Sequence, residues 1–263
     1  MFKPKKHLGQ NFLTNPLVVE KIIEASKLKS TDLVVEIGPG TGILTEELLK
    51  KAKEVWAIEK DFDLVEKIRK YLGNNKNLKI IHQDALLFDL SLLDQYKVIA
   101  NIPYNITSPL IRKFLEGENK PELLVLMVQK EVAERITAKS GSSERGFLTL
   151  IVEFYADAEI ITEVPRKDFF PVPNVDSAVI KLKVKSTKLK VQEKEIIPRV
   201  FFNIVKAGFS AKRRQIHNSL AATFRLPKDE VIKILSEAKI DPQLRAEDLT
   251  LEDWFRLYKV LNK

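Results

Sequence analysis

The sequence predicts an α/β fold: a largely parallel, doubly wound sheet followed by a small all-helical C-terminal domain. Three patterns predict it. Short β-branched runs alternate with helical periodicity through most of the chain, two apolar runs then follow one another with no helix between them, and from about Glu193 the periodicity is helical. In order, Asn15 caps a first helix whose Pro16 sits where a missing N–H costs nothing, with Leu17, Val18, Ile22 and Ile23 on one face. "LVVEIG", "EVWAIE", "LKIIHQD", "KVIAN" and "ELLVLMV" read as strands, each followed by a helix or turn, so the pairing is parallel. After a helical "RGFLTLIVEFYA", the runs "AEIITEV" and "SAVIKLKV" make an antiparallel pair that closes the sheet. Ile197, Val200, Phe201 and Ile204, then "DEVIKILSEA", then "TLEDWFRLYKVL" with Thr250 and Asp253 as a capping box, complete the helical part. The Lys-rich "KSTKLKVQEK" marks the boundary, giving domains 1–187 and 188–263.

Composition narrows the function classes. The 263 residues contain no cysteine, which excludes disulfides, thiolate metal sites and a Cys nucleophile and suits a reducing compartment; cytoplasm is expected. No apolar run approaches the roughly 18 residues of a membrane span, and the start "MFKPKKHLGQNF" lacks the apolar stretch of a secretory signal, so a soluble, mature chain is expected. The three histidines, His7, His82 and His217, lack metal-ligand spacing, so no metal is expected; a monomer is. The net charge of +8 points to a polyanionic partner, and residues 188–263, with 16 basic and 10 acidic side chains, hold most of that excess. That end is expected to meet nucleic acid.

"VVEIGPGTGILTEEL" is a strand, a glycine turn and a helix start, with Gly38, Gly40 and Gly42 allowing a tight turn and close approach to a ligand. It departs from the dinucleotide fingerprint, because the third glycine comes one position early and Glu36 precedes the turn. Glu59 ends the next strand, suited to ribose hydroxyls, and Asp84 ends the third. Three carboxylates around one crevice would repel a pyrophosphate, whereas the sulfonium, amino group and adenine amine of S-adenosylmethionine complement them.

The fourth strand ends in Asn101, Ile102, Pro103 and Tyr104, outside the carboxyl ends of the sheet where ligands of such folds bind. An adenine amine is a poor nucleophile while its lone pair is delocalised into the ring. The Asn101 side-chain oxygen and the Ile102 carbonyl can each accept one of its N–H groups, with Pro103 stiffening the turn and Tyr104 stacking on the base. "DFFPVPNVDS" offers Phe169 or Phe170 as an opposite wall.

Taken together, "HLGQNFL", "EIGPGTGILT", Glu59, "DAL", "NIPY" and "FFPVPNVDS" resemble, in matching order over nearly the whole chain, the small-subunit rRNA adenine N(6),N(6)-dimethyltransferase family. The resemblance implies a class I methyltransferase, Rossmann-like sheet with a helical C-terminal domain. It implies dimethylation of two adjacent adenosines in the 3′-terminal hairpin of 16S rRNA during small-subunit assembly. It also implies that Asn11 and Leu13 cover the cofactor, Gly38 approaches it, Glu59 binds ribose, Asp84 with Ala85 beside it binds adenine, Asn101 and Tyr104 hold the target base, and Phe169 takes the F-x-P-x-P position. Ile102 departs from the family's usual Leu and is typical of the related erythromycin-resistance 23S rRNA methyltransferases, the alternative reading. A non-catalytic RNA-binding assembly or transcription factor on the same fold is a further alternative, against which the intact Asn101–Tyr104 segment argues.

"KAGFSAKRRQIHNSL" joins Lys206, Lys212, Arg213 and Arg214 to a helical pattern suited to tracking RNA phosphates. The N-terminal Lys3, Lys5 and Lys6 invite the same reading.

Overall fold

A computed structural model describes residues 4–5, 8–185, 190–191, 194–211 and 213–262, with backbone only at 190–191 and 194–195. The chain divides into two compact units, residues 1–133 with 156–184, and residues 134–155 with 185–263.

The first unit opens with β1 (Phe12–Leu13) and α1 (Pro16–Ser26), followed by β2 (Leu33–Ile37), α2 (Ile43–Leu49), β3 (Glu54–Glu59), α3 (Phe62–Leu72), β4 (Leu78–His82), β5 (Tyr96–Asn101), α4 (Thr107–Glu116) and β6 (Leu123–Gln129). A short helix, α5 (Lys130–Ile136), runs on from β6, and α6 (Phe147–Tyr155) leads into β7 (Ala156–Val164), β8 (Phe169–Phe170) and β9 (Ser177–Val184). The main sheet is ordered β4-β3-β2-β5-β6-β9-β7. β2 to β6 pair in parallel, and β9 runs antiparallel to both β6 and β7. All five strands read from short apolar runs are present, as is the expected antiparallel pair.

α1 starts as expected, with the Asn15 side chain accepting from the Leu17 N–H and Pro16 in the first turn. Its apolar face is rotated from the expected one. Leu17 is 62% exposed, while Val18, Val19 and Ile22 are buried against the sheet. Val19, two positions on from Leu17, is buried in its stead.

Chain order reverses across β2 and β5. β3 and β4 extend the sheet to one side of β2, and β5 and β6 to the other, so the crossovers part there and leave a crevice beyond the strands' carboxyl ends.

The second unit holds α6 together with α7 (Pro198–Gly208), α8 (Ile216–Phe224), α9 (Lys228–Glu237) and α10 (Leu251–Leu261). Phe154 of α6 packs its ring 5.0 Å from both Phe201 and Phe202 and 6.0 Å from Phe255. This aromatic cluster places residues 134–155 with the helices, although they precede the last strands in sequence. Thr250 and Asp253 form the expected capping box on α10. The basic stretch is not a continuous helix: α7 ends at Gly208, Arg213 has φ +75°, and α8 begins at Ile216. A Cβ on Gly208 would lie 2.4 Å from Trp254 Cη2, so packing demands the glycine there. Lys206 is on α7, Arg213 and Arg214 are exposed in the connection, and Lys212 lies outside the described residues.

Candidate active site

The crevice is built from the ends of four strands, β2, β3, β4 and β5, and from the N-terminal segment. Gly38, Gly40 and Gly42 all have positive φ, +65°, +59° and +91°, a region costly to residues with a Cβ. A Cβ on Gly38 would meet Pro103 Cδ at 3.5 Å, and one on Gly40 would press into the Phe12 ring at 2.9 Å. The glycine turn therefore threads between the Asn101–Tyr104 turn and the N-terminal cover. Gly42 hands the chain to α2 as its N-cap.

Asn11, Leu13, Glu36, Gly38, Gly40, Glu59, Asp84, Ala85 and Asn101 all line this crevice, together with Ile102, Pro103 and Tyr104. Phe169 does not. Its ring is 2% exposed and packs in the core with Leu13, Val18 and Val179, because β8 pairs Phe169 with Leu13 and Phe170 with Phe12. Opposed residues of an antiparallel pair share a face. Leu13 and Phe169 thus turn inward, and Phe170, 63% exposed, shares the face of Phe12, whose ring covers Gly40. The structure corrects the assignment of Phe169 as the ring offered to a base: pairing parity makes Phe170 the exposed one.

The charge of the site also differs from three free carboxylates. Glu36 is 1% exposed, and its carboxyl is pushed up to about 8, chiefly by burial; the Thr45 hydroxyl opposes the shift, and the nearby Glu59 adds a smaller upward push. Among the described residues, Glu36 Oε2 and Thr45 Oγ1 are nevertheless both buried without a partner that meets hydrogen-bond geometry. Burial likewise raises Glu59, opposed by backbone N–H groups including that of Asp61, which donates to Glu59 Oε1 at 2.9 Å. Asp84 is held below the usual carboxylate range by Lys60 Nζ at 2.8 Å and by the Leu86 N–H. At neutral pH the cleft thus holds one largely protonated acid, Glu36, beside Glu59, raised by burial against the pull of its N–H donors, and Asp84, paired with Lys60.

On the reacting side, Asn101 ends β5 in register with Met127 of β6, and Ile102 N–H donates to the Met127 carbonyl at 3.2 Å. The Asn101 amide donates to the Asn11 carbonyl at 3.2 Å, which fixes the side chain's orientation and turns its oxygen away from that bond. Tyr104, half-buried, lies within hydrogen-bond distance of Ser177.

Sequence reasoning missed the strap that holds the cover. Lys5 Nζ reaches Asp61 at 2.6 Å and Asp63 at 2.7 Å, and Gln10 Nε2 donates to the other Asp61 oxygen at 2.7 Å. Burial would raise Asp61, but Lys5 and Gln10 hold it low. Lys5 is therefore a structural pin instead of a free phosphate-tracking cation; Lys3 and Lys6 lie outside the described residues. Asp61 caps α3, yet its partner Lys5 lies 56 residues away, and no local signal marks the pair.

A sequence model of the family described as ribosomal RNA adenine dimethylase matches residues 1–263. The chain belongs to that family. Among its relatives, the ribosomal RNA small subunit methyltransferase A of Dehalococcoides mccartyi (strain BAV1) is 42% identical over 259 residues, covering 97% of this chain and 87% of that protein. The enzyme of the same name from Clostridium botulinum (strain ATCC 19397 / Type A) is 40% identical, covering 97% and 93%. The crystal structure of a dimethyladenosine transferase from Plasmodium falciparum superposes with a TM-score of 0.80 at 30% identity, covering 94% of this chain and 95% of that one. That of the 23S rRNA methyltransferase ErmE gives 0.73 at 26% identity, covering 96% and 100%. As a ribosomal RNA adenine dimethylase, this protein is an S-adenosylmethionine-dependent methyltransferase with the class I, Rossmann-like sheet and helical C-terminal region read from its sequence. The crevice fits such a cofactor: Glu36 has a buried, unpartnered oxygen, the Gly38–Gly40 backbone leaves room where side chains would intrude, and Asp84 is an acceptor at the rim.

Proposed function

We propose that this enzyme dimethylates the exocyclic amines of two adjacent adenosines in the 3′-terminal hairpin of 16S rRNA, within an assembling small ribosomal subunit, acting as a cytoplasmic monomer without a metal. The observation that carries the chemistry is the single crevice in which the Asn101–Tyr104 turn stands beside the carboxylate-lined glycine turn. The small-subunit specificity is supported by 42% identity to a small-subunit methyltransferase A, against 26% to the 23S enzyme toward which Ile102 points.

When bound, S-adenosylmethionine supplies an electrophilic methyl group on a sulfonium. Asn11, Leu13 and Phe12 would cover that cofactor, Gly38 and Gly40 would let it approach the backbone, Glu36 and Glu59 would hold its amino and ribose groups, and Asp84 with Ala85 would hold its adenine in place of Lys60. The exposed Lys60 yields at small cost, because solvent-exposed ion pairs contribute about 0–1 kcal/mol. Asn101, pinned by the Asn11 carbonyl, accepts one N–H of the target amine through its side-chain oxygen, and the Ile102 carbonyl accepts the other. This draws the nitrogen toward tetrahedral geometry and aims its lone pair. Pro103 keeps the two acceptors at fixed spacing, and positioning is the chief contribution to rate. Tyr104 stacks on the extruded base, worth about 1–3 kcal/mol against the few kcal/mol needed to unstack it. The methylated amine, acidic while cationic, gives its proton to water, and no strong base is needed. The exposed Lys206, Arg213 and Arg214, with Lys212, track RNA phosphates from the helical domain.

Labelled methyl transfer to under-methylated small subunits, followed by nucleoside analysis, tests this reading. Dimethyladenosine in the small-subunit hairpin is expected; label in large-subunit rRNA overturns the assignment.

A further inference from the structure

The turn that carries Tyr104 is held at its backbone by Pro103 and by a short 3-10 turn, Tyr104–Ile106, but a tyrosine ring has two more rotors beyond the backbone. The end of the ring is also held. Its hydroxyl lies 2.6 Å from Ser177 Oγ, a short hydrogen bond between two side chains 73 residues apart. Ser177 is fully buried and opens β9, where its backbone is registered with Gln129 of β6 on one side and Val164 of β7 on the other. The residue before it is equally fixed. The Asp176 carbonyl accepts from the Lys130 N–H at 3.0 Å, and its side chain accepts from the Arg166 N–H at 2.9 Å. Ser177 is therefore a rigid post, and "DFFPVPNVDS", whose front supplies the phenylalanines, ends on it. Burial raises the Tyr104 phenol above its ordinary value, so the hydroxyl keeps its proton through the neutral range.

We infer that Ser177 is a positioning residue for the methyl transfer: by anchoring the Tyr104 hydroxyl it presets the ring plane on which the extruded adenine stacks. This rests on the stacking role proposed for Tyr104. Stacking and extrusion nearly cancel, so a ring that must first be immobilised holds the target base for a smaller fraction of encounters, and a pre-set ring for a larger one. The loss should fall on turnover and leave the cofactor's side of the crevice untouched, because Ser177 does not line it.

The full-length enzyme is compared with Ser177→Ala, Tyr104→Phe, the double variant and Tyr104→Ala, using under-methylated small subunits at saturating S-adenosylmethionine. Ser177→Ala and Tyr104→Phe are each expected to lower kcat about tenfold, the scale of one oriented hydrogen bond, with KM for subunits and the Kd of S-adenosylmethionine unchanged. The double variant should be no slower than either single one, since each change removes the same bond. Tyr104→Ala should be slower than all three. Parental turnover in Ser177→Ala, multiplying losses in the double variant, or a parallel fall in S-adenosylmethionine affinity overturns the anchor while leaving the stacking role standing if Tyr104→Ala is slow. Parental turnover in Tyr104→Ala overturns both.

Discussion

Glu36 offers the sharpest quantitative prediction, because its burial makes the protein's stability depend on pH in an unusual direction. The folded carboxyl holds its proton up to about 8, against 4.5 when unperturbed. Between those two values the unfolded chain has lost a proton that the folded chain keeps. The folded state binds more protons there, so stability falls as pH rises, opposite to the behaviour of a salt-bridged carboxylate. At about 1.36 kcal/mol for each pH unit, the ligand-free protein loses on the order of 3 kcal/mol through this group by pH 7 and about 4 by pH 8. Glu36→Gln keeps the shape and removes the titration. Its amide nitrogen inherits the unpartnered position, at a cost of about 1–3 kcal/mol. The two curves therefore cross. The variant starts level or below at about pH 5 and stands about 1–3 kcal/mol above the parent at about pH 8, at about 2–4 °C in melting temperature per kcal/mol. Urea or thermal unfolding of both proteins across this range measures the difference, in which titrating groups remote from Glu36 cancel.

Binding adds an independent arm. A cationic ligand draws the proton off Glu36, so the affinity of the parent for S-adenosylmethionine should rise by up to about tenfold from pH 7 to well above pH 8, where the ionised form is no longer the minor one. Glu36→Gln should bind more weakly, with a flatter profile. Stability profiles that run parallel from about pH 5 to 8 refute the reasoning, because no buried, proton-retaining carboxyl then distinguishes the two proteins.

Three further outcomes follow from the site. Gly40→Ala places a Cβ 2.9 Å from the Phe12 ring on a backbone at φ +59°, so it should destabilise by about 1–3 kcal/mol and weaken S-adenosylmethionine binding; Phe12→Leu in the same chain should recover part of the melting temperature, and two independent losses refute the contact. Asp61→Asn and Lys5→Met should each weaken S-adenosylmethionine binding by roughly two- to fivefold, with little change in melting temperature, since both release the cover from α3; unchanged Kd values in calorimetry count against a strap. Arg213→Ala or Arg214→Ala should flatten the slope of log affinity for 16S RNA against log salt by about 0.7 to 0.9 each, the release expected for one phosphate contact; an unchanged slope removes that residue from the RNA surface.

The sheet was legible because strands buried on both faces announce themselves as nearly continuous apolar runs, and Leu33–Ile37, Tyr96–Asn101 and Leu123–Gln129 are such strands. The glycine turn was legible for a related reason, since three glycines in five residues at a strand's end mark a backbone that must turn through positive φ. What the sequence hid are quantities set by distant neighbours. A glutamate in a string of letters reads as an anion, and only the fold reveals that Glu36 is sealed in beside Glu59. Phe169 and Phe170 are adjacent and chemically identical, and a two-residue strand pairing with Phe12 and Leu13 decides which is outside. The basic residues 206–214 carried a helical period, but α7 ends at Gly208, where a side chain would strike Trp254, and Arg213 sits at φ +75°. In each case the chemistry was written locally and its strength non-locally. The same division explains why Asn101 could be chosen from sequence as the acceptor of the target amine, whereas its readiness could not. A free asparagine amide presents its N–H₂ to a ligand as readily as its oxygen, and the N–H₂ end would repel an adenine N–H. The Asn11 carbonyl, brought over the crevice by a strap pinned at Asp61, occupies the N–H₂ end and leaves the oxygen for the substrate. The cover over the cofactor side is thus also what orients the acceptor on the base side, and a loosened strap should disturb both.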